Sequence, residues 1–147
     1  MRIYLAGPMT GLTMEECSIW RDKVGEDMGE YVACYSPCRN KDYLKGTGDL
    51  PAVVEFGKPL STSKAIVARD YNDVSNADVI LCNMLGAKTI SIGTVSELAW
   101  AWQLRIPIVL IMEEGNVHDH SFIREMAHFR VNTLEEGIAV TKAILFP

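Results

Sequence analysis

The chain has 147 residues, of which 48% are hydrophobic and 22% are charged, and its formal net charge is -5 at pH 7. This composition is typical of a globular protein with one hydrophobic core, and it excludes a fibrous or intrinsically disordered chain. The negative charge and the lack of a basic run argue against a duplex nucleic-acid partner. No apolar stretch reaches the roughly 18 residues of a membrane span.

The N-terminus and the cysteines both indicate a cytoplasmic protein. Met1 and Arg2 lead directly into a strand-like run, without the basic and long apolar regions of a secretory signal. The four cysteines are few for a disulfide scaffold, and Cys34 and Cys82 lie in apolar runs, where a thiol packs as a small hydrophobe. We therefore expect reduced, structural thiols.

Four short apolar runs are predicted to be β-strands, namely residues 2–6, 31–35, 78–83 and 107–112. Three of them are nearly continuous apolar runs, which is typical of strands buried on both faces of a parallel sheet. A short segment at residues 129–131 would add a fifth strand.

Helices are predicted between these strands. The first runs from Thr13 to about Gly29, because Thr13 and Glu16 have the spacing of a capping box and Gly29 supplies a stop. The other predicted helices cover residues 61 or 63 to 76, 94–105, a segment beginning at 121, and 134–144.

The order of strands and helices predicts an α/β fold. We expect one domain over residues 1–147, a three-layer sandwich of flavodoxin or Rossmann type with a mainly parallel sheet of four or five strands. Ligands of such sheets bind at the carboxyl ends of the strands. Residues 39–60, with three glycines and two prolines, predict an irregular insertion that is a lid, a binding loop or a disordered excursion.

Three common motifs of nucleotide and hydrolase sites are absent from the sequence. Gly7-Pro8-Met9-Thr10-Gly11 stands where a dinucleotide loop would follow the first strand, and Pro8 lacks the N–H that such a loop needs. There is no P-loop Gly-Lys-Ser/Thr and no Gly-x-Ser-x-Gly elbow.

Asp70 and Glu97 are the candidate chemical groups that the residues themselves indicate. Glu97 is predicted in the first turn of a helix that is apolar nearly all round, so it should be buried, with its charge favoured by the helix N-terminus. It is either a carboxylate nucleophile or a helix-start residue that satisfies free N–H groups. Asp70 is either a solvated residue beside Arg69 or the proton donor of a glycosidic site.

Four motifs of the sequence have an order and spacing that point to one family. They are Ile3-Tyr4-Leu5-Ala6-Gly7-Pro8, Asp70 eight residues before Asp78, Ser91-Ile92-Gly93-Thr94-Val95-Ser96-Glu97-Leu98-Ala99-Trp100-Ala101, and Ile106-Pro107-Ile108-Val109. Together they resemble the nucleoside 2-deoxyribosyltransferase-like family, including its branch of 2'-deoxynucleoside 5'-monophosphate N-glycosidases. The resemblance spans residues 2–112, with gaps through 39–60.

The resemblance implies cleavage of the N-glycosidic bond of a 2'-deoxynucleoside or its 5'-monophosphate. It implies that Glu97 is the nucleophile that forms a covalent deoxyribosyl-enzyme, that Asp70 protonates the departing base, and that Tyr4 positions the nucleophile. Gly7 and Pro8 would form the turn beside the sugar and base. The resemblance implies no metal, and no cofactor is expected.

Ser91 departs from the transferases of the family, which carry an Asp six residues before the nucleophile. A serine there resembles the hydrolase branch. The chemistry agrees, because an Asp would repel a phosphate, whereas the Ser91 hydroxyl and the N–H groups of Gly93 and Thr94 would attract it. The alternative interpretation is that Ser91 serves only as a helix cap. The first loop also lacks the arginine common in that branch, so a cation would have to come from Arg39, Lys41, Lys45 or Arg69.

Active sites of the family are completed by a neighbouring subunit, through a segment after the fourth strand. The resemblance therefore implies a homodimer or larger homo-oligomer with a shared site. Here the segment is residues 113–121, in which Asn116, His120 and Ser121 are candidates for reaching a partner's substrate. His118 and His120 form a His-x-His pair without an evident third ligand, so no metal site is expected.

The leading hypothesis is a hydrolytic N-glycosidase of 2'-deoxynucleoside 5'-monophosphates that uses water as the acceptor. The alternatives are a transferase that exchanges bases, a non-catalytic nucleotide-binding module on the same fold, and, with less support, an NAD-cleaving glycohydrolase. Each enzymatic version requires the Glu97 carboxylate to be held out of water and within reach of a cavity.

Overall fold

Five parallel strands form the sheet that is seen in the part of the chain the structure covers. The computed structural model describes residues 1–52 and 57–146. The strands run in the order β2-β1-β3-β4-β5. They are β1 (Arg2–Ala6), β2 (Ala33–Tyr35), β3 (Val79–Asn83), β4 (Ile108–Ile111) and β5 (Phe129–Val131). The prediction of a mainly parallel sheet is confirmed.

Helices cover both faces of this sheet, which makes the expected three-layer sandwich. They are α1 (Met14–Met28), α2 (Ser63–Ser75), α3 (Ile92–Gln103), α4 (Ser121–Met126) and α5 (Leu134–Leu145). Because side chains alternate along a strand, Ile3 and Leu5 pack against α1 and α5. Tyr4 and Ala6 face the opposite side, which is covered by α2, α3 and α4. The inner strands are buried on both faces, and this explains their continuous apolar sequences.

The capping signals were read correctly at α1 but not at α3. Thr13 and Glu16 form both hydrogen bonds of the capping box, and Gly29 ends the helix. The predicted start of α3 near Thr94 was wrong, because the Ser91 side chain accepts the Thr94 N–H and the helix begins at Ile92. Ile92 and Gly93 are weak helix formers, so helix propensity did not indicate a start at Ile92. The start is determined by the N-cap residue, Ser91.

The chain reverses its direction across the sheet between β1 and β3. It leaves β1 to form β2 on one side and returns to form β3 on the other, which creates the crevice where such folds bind ligands. Gly7 follows β1 at this point. A Cβ atom at Gly7 would lie 2.7 Å from the carbonyl oxygen of Asn83 and 3.1 Å from Cζ2 of Trp20. Only glycine therefore allows the segments after β1 and β3 to approach this closely.

The segment predicted as an irregular insertion packs against the domain where it is described. Its regular elements are short 3-10 turns at Asp42–Leu44 and Pro59–Ser61, and residues 53–56 of the predicted insertion lie outside the described residues. Leu44 and Leu50 are buried against α1. Leu50 also exchanges backbone hydrogen bonds with Gly11 and Leu12, so the segment is attached to the loop after β1.

Two further observations concern the whole described chain. No helix in residues 1–52 and 57–146 is long and apolar enough to cross a membrane. Cys17, Cys34, Cys38 and Cys82 are all free thiols.

Candidate active site

Tyr4 and Glu97 make a buried hydrogen bond between β1 and α3. The Tyr4 hydroxyl donates to Oε1 of Glu97 over 2.6 Å. Tyr4 is fully buried, and Glu97 keeps only 7% of its surface exposed. The other carboxyl oxygen, Oε2, accepts no hydrogen bond from residues 1–52 or 57–146. The phenol therefore orients the carboxyl group and leaves the lone pairs of Oε2 available to an electrophile.

The ionisation of Glu97 differs from the sequence-based expectation. Burial, with a smaller contribution from the negative charge of Asp70, raises the pKa of Glu97 to about 8, against opposing effects of Tyr4, Arg21 and Lys41. The helix N-terminus does not compensate, because Glu97 lies beyond the first turn of α3, where the effect of the helix dipole fades. The expectation of a first-turn, ionised carboxylate was wrong, and the free protein holds Glu97 mainly protonated at neutral pH.

Asp70 lies on α2 as the second carboxyl of the site. It is 7% exposed, and burial raises its pKa, although the positive charges of Lys41 and Arg69 oppose that shift. Its Oδ1 is fully buried and has no hydrogen-bond partner among the described residues. Arg69 Nε lies 3.9 Å from Oδ1, which is too far for a hydrogen bond. A buried carboxyl with a raised pKa is suited to hold a proton for transfer.

Arg21 on α1 is a buried cation that the sequence reasoning missed. It is 2% exposed, and its Nε and Nη2 donate to the carbonyl oxygens of Leu5 and Gly7 over 3.1 and 3.0 Å. Its charge lowers the pKa of both Tyr4 and Glu97. One signal was available in the sequence, because Arg21 lies between Cys17 and Val24 on the buried face of α1.

The structure separates the four cations that the sequence offered for the site. Arg39 makes a bidentate ion pair with Asp73, with N–O distances of 2.5 and 2.8 Å. Lys45 pairs with Asp42 at the surface. Arg69 donates its two terminal nitrogens to backbone carbonyl oxygens.

Lys41 is the member of that set whose charge acts on both carboxyl groups. It is 4% exposed, and its ammonium group has no hydrogen bond and no carboxylate within 4.0 Å among residues 1–52 and 57–146. Burial lowers the pKa of Lys41, as does Arg69, whereas Asp70 raises it. The Lys41 charge in turn lowers the pKa of Asp70 and Glu97.

Ser91 joins the start of α3 to the segment after β4. Its N–H donates to Nε2 of His118 over 2.8 Å, and Nδ1 of His118 contacts Oδ1 of Asn116 at 3.1 Å. This pattern assigns the neutral imidazole with its proton on Nδ1, in agreement with burial lowering the pKa of His118. Asn116 donates its amide N–H to Met84 O, so both ends of its side chain are engaged within the chain.

The remaining predicted site residues lie around this network. Gly93 is exposed at the start of α3, and His120 and Ser121 are exposed at the start of α4. Asn116 is buried, so the structure does not present it to a neighbouring copy. Within the described residues, no group of three or more His, Cys, Asp or Glu side chains is arranged to hold a metal ion.

A cavity of about 470 Å³ opens at the carboxyl ends of β1 and β3. Its lining includes Pro8, Asn83 and Lys88, together with Trp20 from α1, and its volume suits a nucleotide-sized ligand. Tyr4, Asp70 and Glu97 are not part of the lining. The same is true of a second, more open cavity of about 430 Å³ beside α1 and β2. The expectation that Glu97 lies within reach of a cavity is therefore not met by either of these two cavities.

The family model of nucleoside 2-deoxyribosyltransferase matches residues 3–140 of the chain. No curated protein matches the sequence. One similar solved structure is the 2-deoxyribosyltransferase of the psychrotolerant bacterium Bacillus psychrosaccharolyticus, with 23% identity, a TM-score of 0.67, and coverage of 92% of this chain and 89% of that chain.

Two further solved structures carry other activities on a similar fold. The CMP N-glycosidase BcmB of Clostridium botulinum has 18% identity, a TM-score of 0.57, and coverage of 97% of this chain and 98% of that one. A molybdenum cofactor binding protein of Rippkaea orientalis has 15% identity, a TM-score of 0.59, and coverage of 98% and 96%. At these identities the structural likeness shows a shared fold and does not extend to activity.

Replacing Glu97 by Gln should stabilise the folded protein, and the gain should grow with pH. The pKa of Glu97 is raised on folding from 4.5 to about 8, so the stability that its proton contributes is full below pH 4.5 and is lost as the pH rises to about 8. Glutamine keeps the neutral form at every pH. Urea unfolding of both proteins should show a difference that widens across this window by about 1.4 kcal/mol per pH unit, to several kcal/mol at its upper end.

Glu16 provides a control of opposite sign for that measurement. Its hydrogen bonds from Thr13 lower the pKa of Glu16, so its contribution is present above the unfolded-state pKa and is lost as the pH falls. Glu16→Gln should therefore destabilise the protein at neutral pH. A Glu97→Gln protein whose stability tracks the wild type at every pH would refute the raised pKa.

Proposed function

The chain belongs to the nucleoside 2-deoxyribosyltransferase family, and we propose that it is an N-glycosidase of 2'-deoxynucleoside 5'-monophosphates with water as the acceptor. The family acts on nucleosides or nucleotides, which supports a small-molecule substrate. The observation that carries the proposal is the buried Glu97 carboxyl, bonded to Tyr4 on one oxygen and close to the second carboxyl, Asp70.

In the first step, Oε2 of Glu97 forms a bond to the anomeric carbon, C1', of the sugar. The C1'–N bond breaks, its electron pair moves into the base, and the base takes the proton held by Asp70. Tyr4 keeps its hydrogen bond on Oε1 and favours the carboxylate form that the attack needs. The reaction requires the substrate to reach Oε2, for which Glu97 keeps 7% of its surface exposed, outside the lining of the two cavities.

In the second step, water resolves the covalent deoxyribosyl-enzyme. The water oxygen bonds to C1', the C1'–Oε2 bond breaks, and a proton of the water passes to Asp70, which restores the starting state. Transfer would follow the same course with the nitrogen of a second base in place of water. Hydrolysis and transfer therefore share Glu97 and Asp70 and differ only in what occupies the base position during this step.

The preference for a 5'-monophosphate depends on the start of α3. An Asp at position 91 would repel a phosphate, whereas Ser91 carries no charge. The N-terminus of the 12-residue helix α3 attracts anions. The N–H of Ser91 is engaged by His118, so a phosphate would meet the N–H groups that follow it, near Gly93. A fold neighbour that is named a CMP N-glycosidase also uses a monophosphate.

We further propose that two copies of the chain associate around this edge of the molecule. Large apolar side chains are exposed on the segments after β3 and β4 and at the starts of α3 and α4, and they are Leu85, Ile90, Ile92, Val117 and Phe122. Exposed apolar patches of this kind mark interaction surfaces. His120 and Ser121 lie at the same edge, where they would reach the substrate of the other copy.

Product analysis tests the proposed reaction directly. The protein is incubated with 2'-deoxynucleosides and their 5'-monophosphates, with and without a free acceptor base, and the products are separated. We expect free base and deoxyribose 5-phosphate from the monophosphates, and at least a 100-fold loss of base release in Glu97→Ala. A swapped base would identify a transferase. Tight nucleotide binding without base release would identify a binding module, and unchanged release in Glu97→Ala would refute the mechanism.

The pH dependence should report Glu97 and Tyr4. Because attack needs Glu97 ionised while Asp70 keeps its proton, kcat/KM should be bell-shaped, and its alkaline limb should lie near pH 8, where the carboxyl pair loses its last proton. Tyr4→Phe removes a hydrogen bond that lowers the pKa of Glu97, so the alkaline limb should move to higher pH. Rates across pH 6–10 would measure the shift. A lower maximum with an unmoved alkaline limb would contradict this role of Tyr4.

Association can be tested by replacing the most exposed apolar residue of the patch. Ile92→Glu should reduce the mass measured by light scattering toward that of one chain, because a charge at the centre of an apolar contact opposes association. Ile19→Glu is the matched control, since Ile19 is equally apolar and exposed but lies on α1, on the other face of the sheet. A wild type with the mass of one chain would refute the proposed association.

A further inference from the structure

Two fully buried polar atoms at the carboxyl pair lack partners among the described residues. They are Asp70 Oδ1 and Arg69 Nε, which lie 3.9 Å apart. Lys41 is 4% exposed, and its ammonium makes no hydrogen bond within residues 1–52 and 57–146 and keeps some exposed surface. Buried polar groups are nearly always satisfied in folded proteins. Two unsatisfied atoms beside an ammonium without a partner therefore indicate a site that a polar ligand completes.

The placement of Lys41 in this cluster is built into the fold. Arg69 Nη2 and Nη1 donate to the carbonyl oxygens of Pro37 and Arg39 over 2.6 and 3.2 Å. These bonds attach the segment that carries Lys41 to α2, beside Asp70. The positive charge of Arg39 is matched by Asp73. The cluster around Asp70 therefore contains two cations for one carboxyl.

This charge balance favours one way for a base to depart. A base that is protonated before it leaves, as purines usually are, would bring a positive charge toward Lys41 and Arg69. A pyrimidine can instead leave with negative charge, and its O2 oxygen lies on the carbon bonded to the glycosidic nitrogen, N1. That oxygen carries part of the electron pair released when the C1'–N1 bond breaks. Cations placed at the developing charge stabilise this type of transition state.

We propose that Lys41 binds O2 of the departing base, with the positive charge of Arg69 behind it, and makes the site selective for pyrimidine 2'-deoxynucleotides. This inference rests on the proposed glycosidase activity. As Oε2 of Glu97 bonds to C1', the C1'–N1 pair moves into the ring and onto O2, next to the Lys41 ammonium. Asp70 then gives its proton to the base anion, which leaves as the neutral pyrimidine. Lys41 keeps all of its protons, and its role is electrostatic.

The first test is the substrate preference of the wild-type protein. Base release is measured with the 5'-monophosphates of 2'-deoxyuridine, 2'-deoxycytidine, 2'-deoxyadenosine and 2'-deoxyguanosine. We expect kcat/KM to be at least tenfold higher for the two pyrimidines. Equal values, or a preference for purines, would overturn the inference and leave the glycosidase proposal intact. No base release from any of the four would refute the glycosidase proposal itself.

The second test compares Lys41→Met with Lys45→Met, which removes an exposed lysine of the same segment. Lys41→Met should lower kcat for 2'-deoxyuridine 5'-monophosphate about 100-fold, the usual loss when one group at a developing charge is removed. The loss should be smaller for the 5-fluorouracil analogue, because its base anion is more stable and needs less help. Lys45→Met should match the wild type with every substrate.

The pattern of losses distinguishes a contact with the base from a structural role. An equal loss for uracil, 5-fluorouracil and adenine nucleotides would show that Lys41 acts through folding or through Asp70, and it would overturn the inference. Lys41→Met should fold, because it replaces a buried, unpaired charge with an apolar side chain. Lys41→Gln provides a second variant that keeps a hydrogen-bond donor without the charge, and it should show an intermediate loss with the same dependence on the leaving base.

Discussion

The removal of two carboxyl groups from water is the constraint on which this site depends. Burial raises the pKa of both Glu97 and Asp70, and the negative charge of Asp70 raises the pKa of Glu97 further. The Tyr4 hydroxyl donates the one side-chain hydrogen bond that Glu97 accepts among the described residues, and this bond lowers the pKa of Glu97. The pair is therefore poised to hold a proton at neutral pH. A glycosidic cleavage needs this state, with one carboxyl as nucleophile and the other as acid.

The fold brings these groups together from separate elements because of simple geometric rules. Alternation along β1 sends Tyr4 toward α3 while its neighbours Ile3 and Leu5 pack on α1 and α5. The close contact at Gly7 allows the segments after β1 and β3 to meet at the point where the sheet order reverses. Arg21 then fastens the chain after β1 through the carbonyl oxygens of Leu5 and Gly7. The site is positioned by strands and helices, which are more rigid than loops.

The elements that were predicted well are those whose signals are local. Continuous apolar runs identified the strands, and the box at Thr13 and Glu16 located the start of α1. The start of α3 was missed by two residues, because Ser91 acts through its cap and not through helix propensity. That small error changed the electrostatics, since it moved Glu97 out of the first turn. A helix boundary is therefore the weakest basis for an argument about charge.

The cations could not be ranked from sequence, because their availability depends on distant partners. Arg39, Lys41, Lys45 and Arg69 look alike in the sequence, and only the positions of Asp73, Asp42 and the backbone carbonyls separate them. Arg21 escaped notice for a related reason, since its partners are carbonyl oxygens and not carboxylates. By contrast, Tyr4, Asp70 and Glu97 were selected from motifs, and the structure brings the three together without testing their roles.

The same count of charges bears on which substrates the family fold accepts in this chain. Arg39 and Asp73 cancel each other as an ion pair, and the other charges around Glu97 and Asp70 are those of Arg21, Lys41 and Arg69, so positive charges outnumber carboxyls even when both carboxyls are ionised. With an Asp at position 91 the site would have a third carboxyl and a balanced charge. With Ser91 it keeps an excess of positive charge in a poorly solvated place, where such charge attracts anions strongly. A nucleoside is neutral and is not stabilised by this excess of positive charge. A 5'-monophosphate or a departing base anion is negatively charged and is stabilised by it.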